Sequence, residues 1–212
     1  MLNTSIMMIV AAKFRLLVFL LVFSYTLIVI PETGLADEKS DKGETSKTPL
    51  ISEMGLISGY GKGSVYEGSY QVVPFILHIG IDAKVFFSDL GSRKGTLSFI
   101  IEPQLNRVTE PERDIEFGIG VGVQYSYPLT ERFSPYVVGV VGPHYLNLAT
   151  ETQARGFIFS CAVGAGSYFF LTKYIALNIG YRLRHMSNAY TRSPNYGINS
   201  NFGIAGLSVF FK

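Results

Sequence analysis

Charged residues are scarce in this sequence. Asp, Glu, Lys and Arg make up 16% of its 212 residues, against roughly 25% in an average soluble protein. The formal net charge is +2, so the chain has no broad positive field for binding nucleic acid. Hydrophobic residues account for 48% of the chain and aromatic residues for 14%. This balance suggests exposure to a membrane.

Cysteine and histidine are also scarce. The single cysteine, Cys161, excludes an intrachain disulfide, and its apolar neighbours favour a role as a small hydrophobic side chain. The three histidines, His78, His144 and His185, fall on different predicted strands and form no metal-ligand motif. The chain also lacks the motifs G-x-S-x-G, G-x-x-x-x-G-K-[ST] and H-E-x-x-H. We therefore expect neither a metal nor a cofactor.

Residues 1–36 have the organisation of a cleaved secretory signal peptide. Lys13 and Arg15 precede an apolar run over residues 16–30, and residues 34–36, Gly-Leu-Ala, supply a small-x-small cleavage site. The apolar run is shorter than the roughly 20 residues of a spanning helix, which disfavours a retained anchor. We predict cleavage after residue 36.

Residues 37–50 are dense in charge and turn-forming residues and have no apolar periodicity. This composition predicts a disordered periplasmic segment. Nothing in the remaining composition marks a second folded unit, so we expect one domain over residues 51–212.

Apolar residues alternate with glycine and polar residues throughout this domain. The clearest example is residues 114–127, and residues 75–84 and 175–187 repeat the pattern. A period of two indicates strands with one apolar and one polar face. Such strands are predicted near residues 52–61, 73–87, 95–107, 112–127, 134–146, 156–170, 173–185 and 199–211.

Eight strands of this length predict an all-β fold, an eight-stranded antiparallel transmembrane β-barrel of the bacterial outer membrane. Closure of the barrel removes exposed sheet edges. Short turns are expected at 91–92, 130–131 and 171–172 on the periplasmic side. Longer loops are expected on the outside of the cell, near residues 62–72, 106–112, 147–155 and 186–198.

A barrel of eight strands has an interior that side chains fill, so a pore is not expected. The apolar face should contact lipid and the polar face should point inward. Buried charges must be paired, and we interpret the inward set as a charge-compensating network. Its expected members are His78, Asp82, Lys84, Glu102, Glu116, Arg182 and Arg184.

One pair of polar residues breaks the lipid-facing stripe of the seventh strand. His185 and Ser187 are two residues apart and therefore share a face. Ester hydrolysis needs a nucleophile, a base, a group that orients the base, and donors for the oxyanion. Asn199 opens the eighth strand, which returns beside the end of the seventh, and could hold the imidazole. Taken alone, H-x-S-N is a weak signal, because these residues are common in interfacial loops.

The segment His185 to Asn199, H-M-S-N-A-Y-T-R-S-P-N-Y-G-I-N, resembles the signature of the PagL family of outer-membrane lipid A deacylases. In that family, H-x-S-N precedes a loop that ends in N-x-G-I and an orienting residue. The segments G-Y-G-K-G at 59–63 and V-P-F at 73–75 also resemble the first hairpin of the family. The resemblance covers most of residues 52–212.

The resemblance implies a Ser187 nucleophile, a His185 base, Asn188 in the oxyanion hole, and removal of the ester-linked chain at the 3-position of lipid A. Its partner would be lipid A, or lipopolysaccharide, of the outer leaflet. Position 199 is Asn where the best-known members have glutamate. Glu151 and Asn201 are alternatives for the orienting residue.

Two other functions remain open at this stage. The first is a non-catalytic small barrel with a structural or binding role, in which residues 191–198 would be an ordinary loop. The second is a barrel acyltransferase, which would require a route for a donor phospholipid. A second copy of the chain, forming a homodimer, is a further candidate partner.

Arg184 and Arg192 are candidates for contacting the phosphate groups of lipid A, although the alternation points Arg184 inward.

Overall fold

The fold was examined in a computed structural model that describes residues 49–87 and 94–211. Eight strands form one closed antiparallel barrel in sequence order, in which β1 pairs with both β2 and β8. Within the described ranges, no helix is long and apolar enough to cross a membrane. The strands are β1 (Glu53–Val65), β2 (Gly68–Asp82), β3 (Thr96–Glu110), β4 (Asp114–Ser126), β5 (Phe133–Leu146), β6 (Gly156–Phe170), β7 (Ile175–Ser187) and β8 (Ile198–Phe210).

All eight predicted strands are present, and the predicted fold class is confirmed. A short 3-10 helix, Ala83–Val85, follows β2 where the prediction extended the strand. The predicted signal peptide, most of the segment 37–50 and the turn at 91–92 lie outside the described residues.

The predicted long loop at residues 62–72 is wrong. Strand β1 continues to Val65 and β2 begins at Gly68, so only residues 66–67 connect them. Gly61 and Gly63 pair with Val72 and Tyr70 across this hairpin, and glycines carry no hydrophobic signal for a strand. Residues 111–113 likewise form a short connection between β3 and β4. Long connections remain at 147–155 and 188–197, and we call the end of the barrel with these four connections the loop rim.

The outer face of the barrel is apolar, as the alternation predicts. In β4, Phe117 is 52% exposed and Val121 is 46% exposed, whereas Glu116, which precedes Phe117 on the other face, is fully buried. An exposed apolar wall around a charged interior reverses the arrangement of a soluble β-protein. It is the arrangement that a strand needs when hydrocarbon replaces water outside.

The interior contains two carboxylates that each bind an arginine from β7. Glu102 accepts hydrogen bonds from both terminal nitrogens of Arg182, at 2.6 and 2.8 Å, and lies 2.7 Å from Nδ1 of His78. Glu116 pairs with Arg184 and also accepts from Tyr70 and from Asn106. These contacts give each buried charge a partner, as burial requires.

Five of the seven expected network residues belong to this interior. Asp82 and Lys84 do not, because Asp82 is the last residue of β2 and Lys84 lies in the 3-10 helix that follows it. Asp82 accepts a hydrogen bond from the Lys84 backbone N–H at 2.9 Å and thereby caps the 3-10 helix. Their inclusion in the network was wrong, because the alternating pattern in the sequence continues beyond Asp82, where β2 ends.

Two apolar layers complete the interior. One contains Tyr136, Tyr168 and Ile100, and the other contains Tyr70, Leu146 and Phe202 among its members. The larger layer includes Met186 and Ile198, which are fully buried. It therefore supports the ends of β7 and β8 from inside the barrel.

Replacing Glu102 by glutamine should lower the free energy of unfolding by about 3–5 kcal/mol, because the buried charge of Arg182 would lose its counter-charge. Denaturant titration of the folded barrel in lipid vesicles measures this change. The matched control, Glu112→Gln in the exposed β3–β4 connection, should change it by less than about 0.5 kcal/mol. Equal stabilities of the two variants would contradict the assignment of Glu102 as the interior counter-charge.

Candidate active site

The last residues of β7 alternate between the interior and the lipid-facing wall. Arg184 and Met186 are buried in the interior. His185 is therefore exposed on the outer wall, and Ser187 is half-buried on that same face. The predicted outward orientation of both residues is observed.

Asn199 is the register partner of His185 on the neighbouring strand β8. Its Oδ1 lies 2.8 Å from Nδ1 of His185. An amide oxygen only accepts hydrogen bonds, so Nδ1 is the donor in this contact. In the neutral ring, Nε2 then carries the lone pair that a general base requires.

Gly197 makes room for the imidazole ring. Its φ is +77°, a conformation that favours glycine. A Cβ atom at this position would lie 2.6 Å from Cε1 and 3.3 Å from Nε2 of His185. The ring therefore packs against the bare backbone of residue 197, and any larger residue would collide with it.

Ser187 lies one period further along the same face. Two residues of a strand span about 6.6 Å, which places the hydroxyl and the ring on neighbouring positions of one wall. No hydrogen bond joins Ser187 to His185 within residues 49–87 and 94–211. On β6, the register partners are Phe159 for Ser187 and Cys161 for His185. The wall around the two residues is thus apolar on the β6 side.

The side chain of Asn188 is engaged with the loop that follows it. Its Nδ2 donates to the carbonyl oxygen of Arg192 at 2.9 Å, and its backbone N–H donates to Oδ1 of Asn195 at 2.8 Å. Only 2% of the residue is exposed. Nδ2 carries two protons, of which this contact uses one. Its predicted role in an oxyanion hole stays a prediction.

A tight turn follows Asn188 directly. Ala189 and Tyr190 have φ values of 53° and 64°, and the Thr191 N–H donates to the Asn188 carbonyl at 3.1 Å. Left-handed conformations are unfavourable for such residues, with a cost of about 1–2 kcal/mol each. Local backbone strain of this kind clusters at functional sites.

The β5–β6 loop holds the site loop, residues 188–197, in place. Gln153 and Asn195 form an isolated antiparallel bridge. The N–H of Ala154 donates to the carbonyl of Pro194, and that of Tyr196 donates to the carbonyl of Thr152, both at 2.9 Å. This support could not be predicted from the sequence, because a local pattern carries no information on contacts between two loops about 40 residues apart. The N-x-G segment was the available signal for Asn195 and Gly197.

The two alternatives to Asn199 have other surroundings. Glu151 is exposed on the β5–β6 loop, and its backbone N–H contacts a carboxylate oxygen of Glu67. Asn201 lies on the outer wall as the partner of Leu183. Asn199 already occupies the position beside His185. Arg184 is buried against Glu116, which removes it from the set of candidate phosphate contacts.

The closed eight-stranded barrel, with an apolar exterior and a paired charged interior, defines the class of an outer-membrane β-barrel protein. Two solved structures share this fold. Neisserial surface protein A is 17% identical with a TM-score of 0.56, and covers 75% of this chain and 96% of its own. The outer membrane enzyme PagL is 15% identical with a TM-score of 0.54, and covers 72% of this chain and 97% of its own.

The family model described as lipid A 3-O-deacylase (PagL) matches residues 77–208. The chain therefore belongs to the PagL family, and it is a protein of the bacterial outer membrane. The match includes the whole segment from His185 to Asn199. No curated protein sequence matches the chain. None of these comparisons supports the homodimer.

Replacing Asn195 by alanine should loosen the site loop, because the buried Asn188 N–H would lose its acceptor. We expect trypsin to cleave after Arg192 about tenfold faster than in the wild type, as measured by mass spectrometry of the folded barrel over time. The matched control is Thr130→Ala, which removes the hydrogen bond from the Arg132 N–H in the β4–β5 turn at the other end of the barrel. Unchanged cleavage in Asn195→Ala would show that the loop does not depend on this contact.

Proposed function

We propose that this protein is a lipid A deacylase that removes the ester-linked acyl chain at the 3-position through a Ser187 nucleophile. The observation that carries the proposal is the His185–Asn199 pair on the lipid-facing wall, with Ser187 on the same face. Lipid A is embedded in the outer leaflet, so its ester can reach this wall by lateral diffusion. Membership of the PagL family supports this substrate and this reaction.

The proposed reaction has two steps. Nε2 of His185 takes the Ser187 hydroxyl proton while Oγ attacks the ester carbonyl, and the imidazolium then protonates the departing sugar oxygen. Water next attacks the acyl-enzyme with His185 as base, which releases the fatty acid and restores the Ser187 hydroxyl. The second Nδ2 proton of Asn188, together with a backbone N–H of another residue, stabilises the oxyanion in both steps.

Asn199 supplies orientation without charge in this scheme. Its Oδ1 accepts the hydrogen bond from Nδ1, which leaves Nε2 to take the proton of Ser187. Cys-His-Asn proteases show that an amide can orient a catalytic histidine. An amide does not offset the positive charge that develops on the ring, so we expect a lower rate than a carboxylate would give.

The outer face of β8 offers a place for the acyl chain. Gly203 is exposed on this face, and its register partners on the two flanking strands are Tyr181 of β7 and Tyr60 of β1. These tyrosines are 53% and 45% exposed. A Cβ atom at Gly203 would have no heavy atom within 4 Å. The missing side chain at Gly203 leaves a gap between the two rings, which we call the slot, on the same face of β8 as Asn199.

Mass spectrometry of lipid A from cells that express each variant tests the reaction. The wild type should remove one acyl chain, whereas Ser187→Ala and His185→Ala should leave lipid A intact. Asn199→Ala should slow deacylation about a hundredfold or more, because the ring loses its orientation. Ser167→Ala, on the same wall in β6, is the matched control and should act as the wild type does.

Other outcomes of this experiment identify the alternatives. Identical lipid A with and without the wild-type protein would indicate a non-catalytic structural or binding barrel. Gain of an acyl chain would indicate an acyltransferase. Loss of a chain that persists in Ser187→Ala would reject the serine mechanism.

Filling the slot at Gly203 should reduce activity on long chains. Gly203→Leu places a side chain where an acyl chain would lie, so we expect at least a tenfold loss of kcat/KM for a long-chain ester and a smaller loss for a short-chain ester. Gly139→Leu is the matched control, because Gly139 also has open space at Cβ and lies half-buried on β5, away from the site. Equal effects of the two substitutions would contradict a chain-binding role for β8.

A further inference from the structure

We propose that Arg192 forms a phosphate-binding site for the headgroup of the lipid substrate, beside the ester-cleaving residues. The inference rests on the proposed function and adds to it a determinant of substrate recognition. It depends on how Arg192 is held, on the absence of a carboxylate partner among the described residues, and on its position above the lipid-facing wall.

The guanidinium of Arg192 is fixed against the start of β6. Its Nη1 donates to the carbonyl oxygen of Arg155 at 3.0 Å. A Cβ atom at Gly156 would lie 2.5 Å from Nη1 and 2.8 Å from Cζ of Arg192. The φ of Gly156 is +114°, which also favours glycine. The guanidinium therefore packs against the backbone of Gly156, and any residue with a Cβ atom would clash with it.

The backbone of Arg192 is fixed as well. Its carbonyl oxygen accepts the hydrogen bond from Nδ2 of Asn188, the residue that follows Ser187. The buried side chain of Asn188 therefore links the backbone of Arg192 to the residue next to the candidate nucleophile. A pre-positioned guanidinium loses less conformational entropy on binding than a free side chain does.

Arg192 has no carboxylate partner within 4 Å in the described part of the chain, where every ion pair lies in the barrel interior. The side chain is exposed, and among residues 49–87 and 94–211 it makes one hydrogen bond, from Nη1. A guanidinium has five N–H donors in a planar fork, so most of them remain free. This fork matches the oxygens of a phosphate group, to which arginine binds through two parallel hydrogen bonds.

The site lies where the headgroup of a membrane lipid would be. From Gly156, three residues of β6 lead to Phe159, a distance of about 10 Å along the strand, and Phe159 is the partner of Ser187. Phe157 and Phe159 are 46% and 48% exposed on this wall. A cation at the loop rim above an apolar wall is complementary to an amphiphile that carries an anion above its acyl chains. Together with the proposed function, this complementarity gives the chemical class as an acylated sugar phosphate.

The test compares two substrates in mixed micelles with the purified full-length barrel. One is bisphosphorylated lipid A, and the other is the same lipid after enzymatic removal of both phosphates. We expect Arg192→Gln to raise KM for the phosphorylated lipid about tenfold, with kcat and the KM for the dephosphorylated lipid little changed. Arg192→Lys should raise the KM for the phosphorylated lipid less than Arg192→Gln does, because lysine keeps the charge and lacks the planar fork.

Arg107→Gln is the matched control. Arg107 is exposed on β3, across the barrel from β7, and also lacks an ion-pair partner among the described residues. It should leave both KM values unchanged, which excludes a general effect of surface charge on micelle binding. Retention of the heat-sensitive electrophoretic mobility of a folded barrel confirms that each variant folds.

Several results would overturn the inference. Equal changes of KM for the two lipids, or a fall of kcat alone, would mean that Arg192 only supports the site loop. Inorganic phosphate and a glycerophospholipid can also be added as competitors of the phosphorylated lipid A. If either inhibits the wild type but not Arg192→Gln, the site is not specific to this headgroup. A wild type that releases no fatty acid from either lipid would reject the proposed function itself.

Discussion

The ion pairs between β7 and the opposite strands fix the orientation of everything on the outer wall. Arg182 binds Glu102, and Arg184 binds Glu116, inside the barrel. Because side chains alternate, a slip of one residue would move both arginines into the lipid and His185 into the interior. The large cost of an unpaired charge in hydrocarbon therefore specifies the register of β7. The candidate site is presented to lipid as a consequence of charges that face the other way.

Polar side chains on a lipid-facing wall need partners, and the position near the loop rim supplies them. His185 has Asn199 on the adjacent strand, and the loop after Ser187 is tied to the β5–β6 loop through Asn195. The site therefore combines a rigid element with a restrained loop, an arrangement that holds reacting groups in fixed geometry. The same restraint carries Arg192 into a defined position over Gly156.

Much of this arrangement follows from the sequence, because period two fixes the face of every residue in a strand. The outward position of His185 and Ser187, and the return of Asn199 beside His185, need only the strand pattern and antiparallel pairing. The first hairpin was misjudged, since Gly61 and Gly63 give no apolar signal although their backbones pair. The support of Asn188 and Asn195 comes from a loop distant in sequence. Such contacts are set by tertiary packing, which no local pattern encodes.

Asparagine at position 199 changes the balance of forces at the site. A carboxylate there would stabilise the imidazolium, but an ionised group on an exposed lipid-facing strand also carries a desolvation cost. The amide avoids that cost and keeps the hydrogen bond that selects the tautomer of His185. It gives up the electrostatic stabilisation of the charged ring. In the proposed mechanism, the remaining stabilisation of the transition state comes from the oxyanion donors and from binding of the substrate, which gives the slot at Gly203 and the Arg192 cation greater weight.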